Sequence, residues 1–227
     1  MDATLRAASA RRSRRTESQD RSLEVQPEDL RRKIRRQINR LLIVFAVDAS
    51  DSMGSGTLAR MTAAKGAMLA LLNRVYHRRY RVALVAFRDQ SARILLNPTS
   101  SLTLAKQRLQ NLPVGGATPM ADGLQKAWRL IQTEQARMPL VRPMLVLISD
   151  GEANVPIEEG QAVTQELLSL AERIGRCKIP SLVIDTKALG ERSHEMPSVA
   201  KALGAAYYHV QSLRSGRLVK AVQAAET

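Results

Sequence analysis

Three short stretches of the chain carry oxygen-bearing side chains beside glycine or other small residues. Asp48-Ala49-Ser50-Asp51-Ser52 closes the apolar run Leu41–Val47, Gly115-Gly116-Ala117-Thr118-Pro119 reads as a loop, and Ser149-Asp150-Gly151 closes Met144–Ile148. Carboxylates and hydroxyls without His or Cys suit a hard cation, Mg²⁺ before Zn²⁺. The alternation of Asp48, Ser50 and Ser52 lets three side chains converge from one loop on one point. Ser50 and Ser52 could instead cap the following helix, which explains the first loop but neither of the others. Asp48 and Asp150 could also hold a metal for a phosphohydrolase. No general base accompanies them, because His77, His194 and His209 fall on predicted helices or the last strand.

The elements that must position these loops follow from the apolar pattern. Leu41–Val47 is continuously apolar, as a strand buried on both faces of a parallel sheet must be, and ligands sit beyond the carboxyl ends of such strands. A helix is predicted over about 57–77, burying Leu58, Met61, Ala64, Met68, Leu71 and Val75. Arg81–Phe87 is the second strand. Ala92–Leu96, halted by Asn97-Pro98, follows too soon for a crossover helix and should pair antiparallel at a sheet edge. Helices are expected over 101–111, from Pro119 onward with Met120, Leu124, Ala127, Trp128 and Ile131 buried, near 158–175, near 194–203 and near 215–225. Strands at 144–148, 181–185 and 206–210 complete the set. The alternation gives an α/β fold, doubly wound around a mostly parallel six-stranded sheet with one antiparallel edge strand.

The 227 residues carry a net charge of +14, unevenly placed: 12 basic against 6 acidic residues in 1–40, and 23 against 15 in the remainder. Residues 1–38 read as a basic arm with a short helix over roughly 28–38, where Glu28 and Asp29 precede Arg31, Arg32, Lys33 and Arg35 in the order a helix dipole favours. Such an arm could meet nucleic acid, anionic lipid or an acidic protein, or remain a solvated tail. Few aromatic residues argue against base-stacking platforms. Cys177 stands alone and reads as core or strand edge, with no disulfide and no zinc site. Arg11-Arg12-Ser13-Arg14-Arg15 lacks the apolar core of a twin-arginine signal, and no run is long enough to span a bilayer. A soluble, cytoplasmic protein is expected.

Asp-x-Ser-x-Ser, a later Gly-Gly-x-Thr-Pro and a strand ending in Ser-Asp-Gly resemble the metal-ion-dependent adhesion site of the von Willebrand factor A (integrin I) fold, here spanning residues 39–226. The resemblance implies that Asp48, Ser50, Ser52, Thr118 and Asp150 hold Mg²⁺, with Mn²⁺ as the alternative, at a site open to a partner's carboxylate. Thr4–Ala8, Glu28–Arg35, Ala63–Ala67, Val82–Arg88 and Gly115–Met120 further resemble the C-terminal region of magnesium chelatase D subunits and related cobalt chelatase components. That likeness implies a non-catalytic subunit docking on a partner AAA+ ATPase in tetrapyrrole metal insertion, with the large catalytic chelatase subunit as a further partner. Asp51, Gly116, Asp122, Arg31, Arg32 and Arg35 are the candidate partner-binding residues.

Two departures bear on this. Asp51 stands where these families usually have Gly, and Asn97-Pro98-Thr99-Ser100-Ser101 replaces the more usual Pro-Pro-Thr-Arg-Ser. The sequence holds no Gly-Lys dipeptide and so no P-loop. The expectation is a stand-alone A-domain protein with ATP hydrolysis supplied by another chain. The alternative is a generic metal-dependent docking module for some other AAA+ ATPase.

Overall fold

A computed structural model describes residues 6–10, 25–29, 41–50, 62, 65–66, 68–69, 72, 80–112, 115–187 and 195–210. The backbone divides into two units, Met1–Ile38 and Asn39–Thr227. In the first, residues 6–10 are helical, where no element was expected, and Pro27–Asp29 is a 3-10 turn. The Asp29 carboxylate accepts the Gln26 amide at 3.0 Å, closing that turn. The remainder of the helix expected over 28–38 lies outside the described residues.

The described residues of the second unit form a six-stranded sheet. Its strands are β1 (Leu41–Asp48), β2 (Arg81–Arg88), β3 (Ser91–Thr99), β4 (Arg142–Ser149), β5 (Ser181–Asp185) and β6 (Ala206–His209). Their spatial order is β3-β2-β1-β4-β5-β6, all parallel except β3, which runs antiparallel at the edge beside β2. The helices are α1 (Leu102–Gln110), α2 (Met120–Arg137), α3 (Val163–Arg176) and α4 (Glu195–Leu203). Helical residues are also described between 62 and 72.

Every residue of β1 is buried because helices cover both faces of the sheet. Ile43, Phe45 and Val47 join Met68, Leu72, Ala105 and Leu109 on one face. Leu42, Val44 and Ala46 join α2, α3 and α4 on the other. Full burial of each such side chain stabilises the fold by roughly 1.5–3 kcal/mol, so a strand in this place tolerates no polar residue until its last. Of the face expected over 57–77, Met68 is buried as foreseen; Leu58, Met61, Ala64, Leu71 and Val75 lie outside the described residues, as does the helix expected at 215–225. Trp128 is half-buried, with the Arg173 guanidinium 5.4 Å from its ring centre.

Three expectations need correction. Asn97-Pro98 does not halt β3, which continues to Thr99. The register slips between the Leu84–Leu96 and Val82–Thr99 pairs, so Asn97 and Pro98 oppose a single residue of β2. A bulge on an edge strand is one of the few sheet positions where proline's missing N–H does no harm. The helix expected from 158 begins at Val163. Gly160 sits at φ 86°, and the Glu166 carboxylate accepts the Ile157 and Glu158 amides, folding the preceding segment back on the first turn. Cys177 is neither core nor strand edge: it is the C-cap of α3 and is exposed.

Close packing of α2 on β2 gives a first test. A Cβ at Gly123 would lie 2.3 Å from the Phe87 ring, itself wholly buried. Gly123→Ala should therefore destabilise the fold by roughly 1–3 kcal/mol, read as a lowered midpoint in urea with an unchanged slope.

Candidate metal site at the strand ends

β1 and β4 lie side by side in parallel with Val47 opposite Ile148, so Asp48 and Asp150 emerge at the same end of the sheet. Both are buried, as are Ser50, Thr118 and Ser149. Asp48 Oδ1 accepts the Ser50 amide at 3.0 Å and the Ser50 hydroxyl at 2.6 Å; its Oδ2 accepts the Ser149 hydroxyl at 2.6 Å. Ser149 Oγ in turn accepts the Gly151 amide at 3.1 Å, and Asp150 Oδ1 accepts the Glu152 amide at 3.2 Å. Backbone and hydroxyl donors thus fix each carboxylate in place.

The loops are tied to one another by main-chain bonds. Ala49 N donates to Phe87 O at 3.0 Å, and Gly115 N donates to Ala49 O at 2.8 Å. Thr118 N donates to the Asn154 side chain at 2.7 Å, while Asn154 N donates back to Thr118 O at 3.2 Å. The loop bearing Thr118 is therefore laced to the β1 loop on one side and to the segment after β4 on the other. Gly116 shapes it: φ is 81°, and a Cβ there would lie 1.9 Å from Asp89 Oδ1.

A family model described as von Willebrand factor type A domain matches residues 43–152. A 31% identical relative, an uncharacterized protein of Methanocaldococcus jannaschii, is covered over 94% of its length by 72% of this chain. The chain belongs to the von Willebrand factor type A family. It is also 40% identical, over 90% of its length, to the magnesium-chelatase 60 kDa subunit of Cereibacter sphaeroides. The chain spans about a third of the length of the magnesium-chelatase relatives it matches. Among solved structures, the conserved hypothetical protein BatB from Bacteroides thetaiotaomicron superposes with a TM-score of 0.63 at 17% identity, covering 82% of this chain and 98% of that one. That likeness carries the fold alone.

In this A domain the two strand-end carboxylates crowd one another. Burial pushes the Asp48 carboxyl up from its ordinary 3.8 to about 6, and the Asp150 charge pushes the same way. Hydrogen bonds from Ser149 and Ser50 oppose the rise without cancelling it. Two buried carboxylates with neutral hydroxyls around them form a donor set that suits a hard divalent cation. Among the described residues no cluster of three or more His, Cys, Asp or Glu side chains is present, and the oxygen donors beside the two carboxylates are hydroxyls. Ser50, Thr118, Asp48 and Asp150 are the described candidates; Ser52 lies outside the described residues.

Of the candidate partner-binding residues, Asp51, Arg31, Arg32 and Arg35 lie outside the described residues. Gly116 is exposed on its loop. Asp122 is held within the fold: it accepts the Ala92 amide at 2.7 Å and pairs with Lys126 at 2.6 Å, fastening α2 to β3. Asp185, a third strand-end aspartate, is held similarly by the Lys187 amide at 2.8 Å and the Tyr207 hydroxyl at 2.6 Å. Burial and the Asp185 charge together push the Tyr207 phenol upward.

Sequence reasoning missed Ser149 and Asn154 as positioning residues. Ser149 was visible in Ser149-Asp150-Gly151, but its bond to Asp48 crosses 101 positions. Asn154 carries no motif, and only the meeting of two loops gives it a role. Among the described residues no helix is long and apolar enough to cross a membrane.

Proposed function

We propose that this chain is a Mg²⁺-dependent docking subunit of a metal chelatase, acting on a partner AAA+ ATPase and itself non-catalytic. The carrying observation is the pair of buried aspartates at adjacent parallel strand ends, each fixed by hydroxyl or amide donors. Likeness to magnesium-chelatase subunits over most of the chain supports the choice of complex. Asp48, Ser50, Ser52, Thr118 and Asp150 would hold the ion, which would offer an open position to an Asp or Glu of the partner. The chain's own contribution is positional. Ser50 and Ser149 orient Asp48, and Asn154 fixes the Thr118 loop against the loop after β4.

Among the described residues no general base for hydrolysis stands beside these carboxylates. Among the described residues the one histidine is His209, on β6, two strands away from β4. Glu152, next to Asp150, pairs with Lys187 at 3.1 Å.

Immobilised chain should retain an AAA+ ATPase from a lysate of the native host in Mg²⁺ and release it in EDTA. Retention unaffected by EDTA would refute metal-dependent docking. Capture of an ATPase with no tetrapyrrole enzyme would turn the reading to a generic A-domain module. Deleting residues 1–26 should weaken retention and leave Mg²⁺ affinity unchanged; equal retention would make the arm a solvated tail.

Gly116→Ala supplies a structural check on the Thr118 loop. The left-handed φ and the overlap with Asp89 should cost roughly 1–3 kcal/mol, lowering the melting temperature by about 2–4 °C per kcal/mol.

A further inference from the structure

A groove of about 680 Å³ runs along the free side of the sheet between β3 and α2. None of its lining residues belongs to the strand-end loops. Its helical wall is one face of α2 that runs from Lys126 through Arg129, Thr133 and Glu134 to Arg137. The twelve residues of helix from Lys126 to Arg137 extend roughly 18 Å, the length of about five residues of extended chain.

Among the described residues the charge on these walls is one-sided, five basic residues against one acidic. The acid, Glu134, is already neutralised within the groove. It is buried, paired with Arg81 at 2.5 Å, and approached by Arg137 at 3.5 Å. Arg81 also donates to Pro98 O at 2.9 Å, so the floor of the groove is tied to the β3 bulge. Arg93 and Arg129 are exposed, and their guanidiniums have no ion-pair partner among the described residues. Between the cations the lining is apolar, with Ile94 44% exposed beside Pro98 and Leu130. β3 is the sheet edge, so one side of its backbone has no strand partner among the described residues, although at Ala92 the amide donates to Asp122 and the carbonyl accepts from Lys126, which closes that edge at its start.

We propose that this groove docks an acidic, extended segment of a partner protein. Carboxylates of the segment meet Arg93 on one rim and Arg129 on the other, while an apolar side chain between them covers Ile94. Arginine forks suit carboxylate pairing, and an exposed strand edge accepts extended chain. A nucleic-acid backbone would match the charge, but among the described residues no aromatic side chain lines the groove for base stacking, and phosphates would leave Ile94 without a partner. The proposal does not depend on the chelatase reading or on metal at the strand ends.

The test is fluorescence polarisation of the full chain with a fluorescein-labelled peptide of alternating Glu and Val. A Gln-for-Glu peptide and an oligothymidylate of similar length serve as controls. The Glu peptide should bind, and Arg93→Glu with Arg129→Glu should weaken it by at least about tenfold. Arg108→Glu with Arg176→Glu, an equal charge change on α1 and α3, should weaken it by less than about threefold. Both pairs are exposed, and circular dichroism confirms folding before the titration. Affinity should be the same in Mg²⁺ and in EDTA, which separates this surface from the strand-end site. Absence of binding to the Glu peptide, equal losses in both charge-reversed pairs, or equal binding of the Gln peptide would overturn the proposal. So would tighter binding of the oligothymidylate with the same dependence on Arg93 and Arg129, which would assign the groove to nucleic acid.

Discussion

Asp150→Ala is expected to abolish saturable Mg²⁺ binding in titration calorimetry while the circular dichroism spectrum stays close to the parent's. Asp150 directly follows the last residue of β4, at the same end of the sheet as Asp48, and both carboxylates are buried. A buried carboxylate cannot be replaced by bulk water, so its loss removes both a donor oxygen and part of the charge that offsets dehydration of the ion. Asp48→Ala should do the same, and Mn²⁺ should follow Mg²⁺. Ser149→Ala provides the graded control. Its hydroxyl donates to Asp48 Oδ2 at 2.6 Å and is not itself among the proposed ligands. Loss of such a supporting partner typically costs about 10–100-fold in metal affinity, so this variant should bind weakly instead of not at all. Unchanged affinity in both aspartate variants would remove the metal from the strand ends altogether. A Ser149→Ala variant that binds no metal while the aspartate variants still do would invert the assignment of ligand and support.

How far such a site is legible in sequence depends on whether its signal is local. Leu41–Val47 and Met144–Ile148 announce themselves because burial on both faces demands unbroken apolar runs, and Asp48 and Asp150 stand out as the residues that end them. The antiparallel placement of β3 followed from the short linker Arg88-Asp89-Gln90, which leaves no room for a crossover helix. By contrast, Pro98 looked like a stop because its tolerance depends on lying at an edge and in a bulge, neither visible locally. The start of α3 was placed too early because Glu166 bonding back to the Ile157 and Glu158 amides competes with helix in that segment. Asn154 and the basic groove were illegible for a related reason. Arg81 and Glu134 are 53 positions apart, and in the sequence Glu134 is one more polar residue on a surface helix. Only the packing of α2 on β3 makes it the buried counter-charge of a cationic channel.

Without divalent cation, the fold is expected to lose stability as the pH rises from about 4 to about 7, and Mg²⁺ should reverse the loss. The argument rests on Asp48, whose carboxyl is pushed from 3.8 up to about 6, first by burial and then by Asp150, against the hydrogen bonds from Ser149 and Ser50. A raised acid in the folded state holds a proton that the unfolded chain has released. Its contribution therefore favours the fold fully below about pH 4 and is lost as the pH climbs through the folded value. A shift of this size corresponds to about 3 kcal/mol, or roughly 6–12 °C in melting temperature for a domain of this length. Mg²⁺ held by the ionised pair would favour the folded state, because only the fold brings the two carboxylates together. At about a hundred times its dissociation constant it should return about 2.7 kcal/mol, nearly cancelling the slope. Asp48→Asn, which cannot titrate, should show a flatter melting curve against pH in EDTA and little response to Mg²⁺. Scanning calorimetry of both proteins across this range, with EDTA and with Mg²⁺, reads all four curves. A parental slope that persists undiminished in Asp48→Asn would place the titrating group elsewhere. A parental curve indifferent to Mg²⁺ at neutral pH would mean that these carboxylates repel one another with no ion to relieve them.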